Sequence, residues 1–191
     1  MKNKVKKIFY VTITALVVFS LLTIPCSAAT GFTRTPLRGQ ETDYWCWCAS
    51  NQMQLETQGR YFTQTQIANN IHRGATVAEQ VERLQACAPD IQWDVHYFVY
   101  SFEKVKNAIN LGWAISILSY NSSDGHSMII TGYDQNSAGY NNIWLQDPWD
   151  NNDSPHTGVE GWCNYYAPVH GNYANTVFGN WQNYIWEITI V

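Results

Sequence analysis

The sequence predicts an α+β fold of two lobes, with helices in the first lobe and an antiparallel sheet in the second. Three observations predict it. Four segments between Cys46 and Gly112 carry helical periodicity or helix start and stop residues. From Trp113 the texture changes to short β-rich runs separated by turn residues. No internal repeat, low-complexity tract or linker divides the chain. The first helix begins around Cys46 in YWCWCASNQMQLETQG, where Trp47, Met53 or Gln54, and Leu55 fall at near-helical spacings and Gly59 stands as C-terminal cap. TQTQIANNIH and TVAEQVERLQAC read as the next two, the second opening on a capping box from Thr76 to Glu79. SFEKVKNAINLG is the fourth, with Ser101 as N-cap and Gly112 as terminator. The strands are WAISILSY, HSMIITGY, NNIWLQ and YIWEITIV, separated by NSSDG, DQNSAG and an Asn/Gly/Pro-rich stretch from Pro148 to Asn183. The loop from Asp150 to Gly179 is longer than a compact domain normally carries without a function. Its Trp162, Tyr165, Tyr166 and Tyr173 imply that it packs down or binds something.

Residues 1–29 read as a secretory signal peptide. Four lysines stand among the first seven residues, an apolar run extends from Ile8 to Ile24, and Ser27 and Ala29 sit two apart as signal peptidase prefers. Cleavage is expected near Ala29, leaving 30–191 as one domain; because the apolar run approaches spanning length, a retained anchor is the alternative. Cys26 lacks the small residues that precede a lipidated cysteine. Cleavage removes four of the 11 basic residues and none of the 15 acidic ones, a formal charge of −8. The expected product is therefore exported and monomeric, with no stable membrane association. So acidic a chain is a poor nucleic-acid binder. Charged residues are 14% of the chain, against about 25% on average, and Asn, Gln, Ser, Thr, Trp and Tyr replace them, which predicts a surface polar by amide and hydroxyl.

A nucleophilic cysteine needs a stabilised thiolate, a base within reach and donors aimed at the oxyanion that its attack on a carbonyl creates. Cys46, at a helix N-terminus, meets the macrodipole and free backbone N–H groups that favour a thiolate. Gln40, six residues earlier, can add a side-chain amide to an oxyanion hole whose other donor is the backbone N–H of Cys46. In GHSMIITGYD, His126 opens an apolar strand after a turn and can project from the sheet rim towards the helix start. Asp147, in WLQDPWD, ends the neighbouring strand and can accept from one histidine nitrogen, leaving the other for the thiol. Trp149 is expected to lie over that pair and exclude water.

Gln40, Cys46-Trp47, Gly125-His126 entering a strand that ends in Gly132-Tyr133, and Asp147 with Trp149 two further on resemble papain-like cysteine peptidases in order, spacing and flanking residues. The Trp-Cys-Trp nucleophile motif, with Asp-Pro-Trp where papain has Asn-Ser-Trp, looks most like compact bacterial secreted and effector members. The resemblance covers roughly residues 39–148. It implies a papain-like two-lobed fold and a Cys46-His126-Asp147 triad with Gln40. It also implies hydrolysis of protein or peptide substrates through a thioester, with no cofactor. The chain departs from plant and lysosomal relatives in two ways: only about ten residues separate the expected cleavage site from Gln40, so a long inhibitory propeptide is missing, and an aspartate adds charge that favours imidazolium.

Other readings compete for the same residues. Cys48 is the rival nucleophile, but it lies about 200° around the helix from Cys46, a core position. Setting Cys46 aside leaves Cys48, Cys87 and Cys163, which permit one bridge: Cys87 with Cys163, or Cys48 with Cys87. His156, Cys163 and His170 recur at seven-residue intervals, yet no zinc-site spacing is present, and His72, His96, His156 and His170 read as surface histidines. The Trp/Tyr-rich tail serves packing or a sugar-binding face. The same Cys-His-acid order also suits a cell-wall peptide amidase or an acyl transferase, and a non-enzymatic secreted binding module would keep the cysteine only structurally.

Overall fold

Among the described residues seven antiparallel strands form one sheet, and the catalytic candidates stand where a helix meets its rim. The computed structural model describes residues 28–97, 101–120, 125–136, 138–150, 155–165 and 182–190. Most of the expected signal peptide therefore lies outside the described residues, as do Tyr166, Tyr173 and His170. In chain order the elements are β1 (Ala29–Phe32), α1 (Cys46–Thr57), α2 (Gln64–Ala68), α3 (Val77–Cys87), β2 (Trp93–Tyr97) and α4 (Phe102–Asn110). They continue with β3 (Ile115–Tyr120), β4 (Gly125–Gln135), β5 (Asn141–Asp147), β6 (Val159–Asn164) and β7 (Gln182–Ile190). The sheet order is β2-β7-β3-β4-β5-β6, and β1 pairs with the far end of β4. This is the papain-like α+β plan, with α1 to α3 in one lobe and the sheet with α4 in the other.

Helix signals in the sequence correspond to these elements closely. Thr76 accepts from the Glu79 N–H and Glu79 answers in a full capping box; Thr63 and Gln66 form a second box that opens α2. Gly59 (φ 70°) and Gly112 (φ 81°) follow α1 and α4 in the left-handed conformation that glycine adopts without penalty. Ser101 holds the N-cap position of α4, but its side chain makes no capping bond. α2 is shorter than TQTQIANNIH suggested because Asn69 and Asn70 turn to φ 44° and 72°, a conformation asparagine tolerates and a helix does not.

The helices-then-strands order holds only in part. Among the described residues, β1 precedes every helix, β2 separates α3 from α4, and β6 lies inside the stretch expected to be loop. β2 acquires its partner from β7, dozens of residues away, and β6 from β5 across an intervening loop, information that local pattern does not carry.

Sheet strands alternate their side chains between two layers. α4 packs Phe102, Val105 and Ile109 with Ile115, Ile117, Met128, Ile130, Ile143 and Leu145 on one side. On the other, Trp47, Cys48, Leu55, Ile67 and Leu84 of the helical lobe pack with Leu118 and Ile188, and Met53 with Ile129. α1 is buried almost all round, and its amides fasten it: Gln54 Nε2 donates to the carbonyls of Ile188 (2.6 Å) and Ala114 (3.2 Å), and Asn51 Nδ2 donates to that of Gln80 (3.1 Å). Gln40, Gln54, Gln64, Gln80 and Gln146 are all buried. The amide-rich composition therefore supplies the interior as well as the surface.

All four described cysteines are free thiols, so neither expected bridge forms. Cys163 belongs to the α4 layer and Cys87 to the helical-lobe layer; the sheet between them forbids the first pairing. Of the long loop's aromatics, Tyr165 is buried against Phe102 (5.2 Å between ring centroids) while Trp162 is exposed beside Phe32 and Trp144.

Candidate active site

Antiparallel pairing of β4 and β5 brings His126 to Asp147. His126 is the second residue of β4 and Asp147 the last of β5, so the start of one strand lies beside the end of the other. His126 Nε2 and Asp147 Oδ1 are 2.5 Å apart, with side chains only 3% and 2% exposed. The same Oδ1 accepts the backbone N–H of Trp149 at 2.8 Å. The Trp149 ring, expected over the pair, stacks on His156 at 4.3 Å.

Cys46 opens α1, is partly exposed, and lines the same cleft as His126, near enough to help raise the pKa of that imidazole. Trp45 occupies the N-cap position without a side-chain capping bond, so no side chain there competes for the first-turn N–H groups and the positive helix end faces the sulfur. The flanking tryptophans tie this helix start down instead. Trp45 Nε1 donates to the Ile71 carbonyl (3.0 Å) and Trp47 Nε1 to that of Arg73 (3.1 Å). Cys48 is wholly buried in the helical-lobe core, and burial, then the neighbouring Cys46 charge, push its thiol far above the usual range. It has the environment of a packing residue.

Burial works against a charged His126, but the Asp147 charge and hydrogen bond, followed by the neighbouring Cys46, outweigh it. The His126 pKa is pushed up from 6.5 to about 10.

Gln40 is fully buried. Its backbone N–H donates to Pro148 O (3.1 Å) and its carbonyl accepts from the His156 N–H (3.0 Å). Its side-chain Nε2 donates to Thr42 O at 2.8 Å, in the loop that leads into Cys46. No hydrogen bond described for Gln40 joins it directly to Cys46, His126 or Asp147. Gly39 beside it is a glycine of necessity: a Cβ there would lie 1.8 Å from the His156 carbonyl oxygen.

Between the lobes lies a cavity of about 290 Å³ lined by Cys46, Trp47, Gly74, Ala75, Thr76, Gln80, Leu118, Gly125, His126 and Ser127. The sulfur and the imidazole thus share one cleft, with walls from α1, the α2–α3 connection, α3 and the sheet. Among the described residues no group of three or more His, Cys, Asp or Glu is placed to hold a metal ion, and no helix is long and apolar enough to cross a membrane.

His156 is the residue that sequence reasoning missed. It is buried rather than on the surface, because its ring packs on Trp149 and its Nδ1 meets Asp150 Oδ1 at 3.0 Å. A signal existed in the pairing of Asp150 with His156 six residues later, but spacing within a loop does not reveal burial.

The Peptidase_C39 like family matches residues 32–184 of the chain. No curated protein matches it. Similar solved structures include UfSP from C. elegans, with a TM-score of 0.52 and 13% identity over 90% of this chain. The chain spans about a third of that protein's length (35%), and at this identity the likeness is one of fold.

Proposed function

Because the chain belongs to the Peptidase_C39 like family and is a cysteine-type peptidase of papain-like fold, we propose that it is a secreted endopeptidase working through Cys46, His126 and Asp147. The observation that carries this reading is that Cys46 and His126 line one interlobe cleft, with the buried His126 hydrogen-bonded to Asp147. Residues 1–29 act as the export signal, and the mature chain has one domain, 30–191, that acts as a monomer without a membrane anchor.

The Cys46 sulfur attacks the scissile carbonyl carbon, forming a C–S bond and placing the negative charge on the carbonyl oxygen. The backbone N–H of Cys46 receives that oxygen. Gln40 adds the Nε2 hydrogen that Thr42 does not take. His126 then gives its proton to the leaving amine as the C–N bond breaks, which leaves a thioester. A water molecule loses a proton to His126 and attacks the thioester, releasing the carboxylic acid and restoring the sulfur. Asp147 holds the imidazole with one nitrogen turned to the sulfur and favours its charged form throughout.

Treating the mature chain with an epoxide-type cysteine-protease alkylator should add one mass equivalent at Cys46, and denatured protein should be cut internally. Absence of both Cys46 labelling and cleavage would refute the enzyme reading. Cleavage confined to purified cell-wall peptides, or transfer to an added amine, would replace endopeptidase with amidase or transferase.

A further inference from the structure

We infer that His156 is a positioning residue, through which the loop following the triad acid holds the oxyanion donor Gln40 in register with Asp147. The inference rests on the proposed cysteine-peptidase reading and assigns a role to a buried group that the reaction itself does not use.

Gln40 has no secondary-structure element of its own to hold it. Its backbone is bonded on both sides by that one loop, to Pro148 O at 3.1 Å and from the His156 N–H at 3.0 Å. A shift of the loop therefore moves Gln40 with it. His156 in turn is held by its side chain. The ring stacks on Trp149 with centroids 4.3 Å apart and planes 28° apart, and Nδ1 bonds Asp150 Oδ1 at 3.0 Å. Asp150 Oδ2 also accepts the N–H (2.9 Å) and Oγ1 (2.6 Å) of Thr157, closing the loop on itself. Nε2 faces Asp43 at 3.7 Å, in the short segment between Gln40 and Cys46. Trp149, on the other face of the stack, donates its N–H to Asp147. His156 thus joins three segments, its backbone N–H bonding the oxyanion donor Gln40 while its ring meets Asp43, at the entry to the nucleophile helix, and Trp149, beside the triad acid. Gly39 shows how close the fit is, since nothing larger than glycine passes the His156 carbonyl.

Misplacing a positioned group by about 1 Å costs on the order of 100-fold in rate. His156→Ala in the mature chain should lower kcat about 100-fold on a fluorogenic peptide while KM holds within about threefold. Alkylation of Cys46 by iodoacetamide forms no oxyanion, and its rate should stay within about twofold of wild type. His156→Asn keeps a donor for Asp150 and should regain at least about tenfold of the lost kcat. The decisive comparison is the double variant. Gln40→Ala with His156→Ala should be no slower than Gln40→Ala alone, because a positioning residue has nothing left to position. Losses that multiply, or alkylation that falls in step with hydrolysis, would show that His156 supports the fold or the triad generally and would overturn the inference. Should His156→Ala fail to fold, His156→Asn and Asp150→Asn run through the same assays, and an unchanged kcat in both overturns it equally. If wild-type hydrolysis proves independent of Cys46, the peptidase reading itself fails, an outcome the Cys46→Ala control separates from failure of the His156 role.

Discussion

Asp147 offers the sharpest test of how the site works, because both of its described side-chain hydrogen bonds fall on one oxygen. Oδ1 accepts from His126 Nε2 at 2.5 Å and from the Trp149 N–H at 2.8 Å. Asp147→Asn keeps an oxygen able to take both, and changes only the charge and the second atom. Asp147→Ala removes both acceptors inside a site that is almost inaccessible to water. A hydrogen bond to a charged group contributes about 1.5–3 kcal/mol, which at about 1.4 kcal/mol per decade is roughly a 10- to 150-fold loss in kcat for alanine. The neutral bond of asparagine forfeits about 1 kcal/mol of that, roughly a fivefold loss. The pH profile follows with a definite sign. His126 is raised from 6.5 to about 10, so its proton is retained at neutral pH and lost as pH rises through that value. Removing the carboxylate takes away the larger of the contributions that raise the pKa and leaves burial opposed only by Cys46, so the alkaline limb of kcat should move to lower pH in Asp147→Ala. Stopped assays of kcat and KM from pH 5 to about pH 10 on the wild type and both variants, with circular dichroism to verify folding, would check this. Equal activity in the two variants, or an alkaline limb that stays put in Asp147→Ala, would refute the reasoning.

Cys46→Ala should abolish hydrolysis, whereas Cys48→Ala should retain most activity per folded molecule and lose stability from its core position, read by peptide hydrolysis alongside a denaturant midpoint. Comparable loss of activity in both variants would sink the assignment. Gln40→Ala should lower kcat by roughly 100- to 1,000-fold, the scale for one oxyanion donor, with haloacetamide alkylation of Cys46 nearly unchanged; parallel loss of both would remove Gln40 from the oxyanion hole. Gly39→Ala should destabilise the chain by about 1–3 kcal/mol in urea unfolding, because its Cβ would press on a backbone carbonyl that cannot rotate away. The His126–Asp147 pair also links stability to pH: the contribution of His126 is fully present below 6.5 and lost as pH rises towards 10. The stability gap between wild type and His126→Ala should accordingly narrow over that window.

The sequence by itself determined the parts of this protein that obey local rules. Thr76 and Glu79 mark the start of α3 because a capping box closes within one turn, and Gly59 and Gly112 mark helix ends because only a residue without a Cβ takes positive φ at no cost. Cys46, His126 and Asp147 could be named because a helix start, a strand start and a strand end are each readable from nearby residues, and the resemblance supplied their order. Tertiary structure alone decided the rest. β2 and β6 exist as strands because β7 and β5 lie beside them, a pairing energy that belongs to two separate segments at once. Cys87 and Cys163 stay apart because the sheet stands between their cores, which no count of cysteines contains. His156 reads as one more polar residue in a loop until Trp149, Asp150 and the backbone of Gln40 close around it; burial is a property of the neighbours, and those neighbours are set by the way the chain returns on itself.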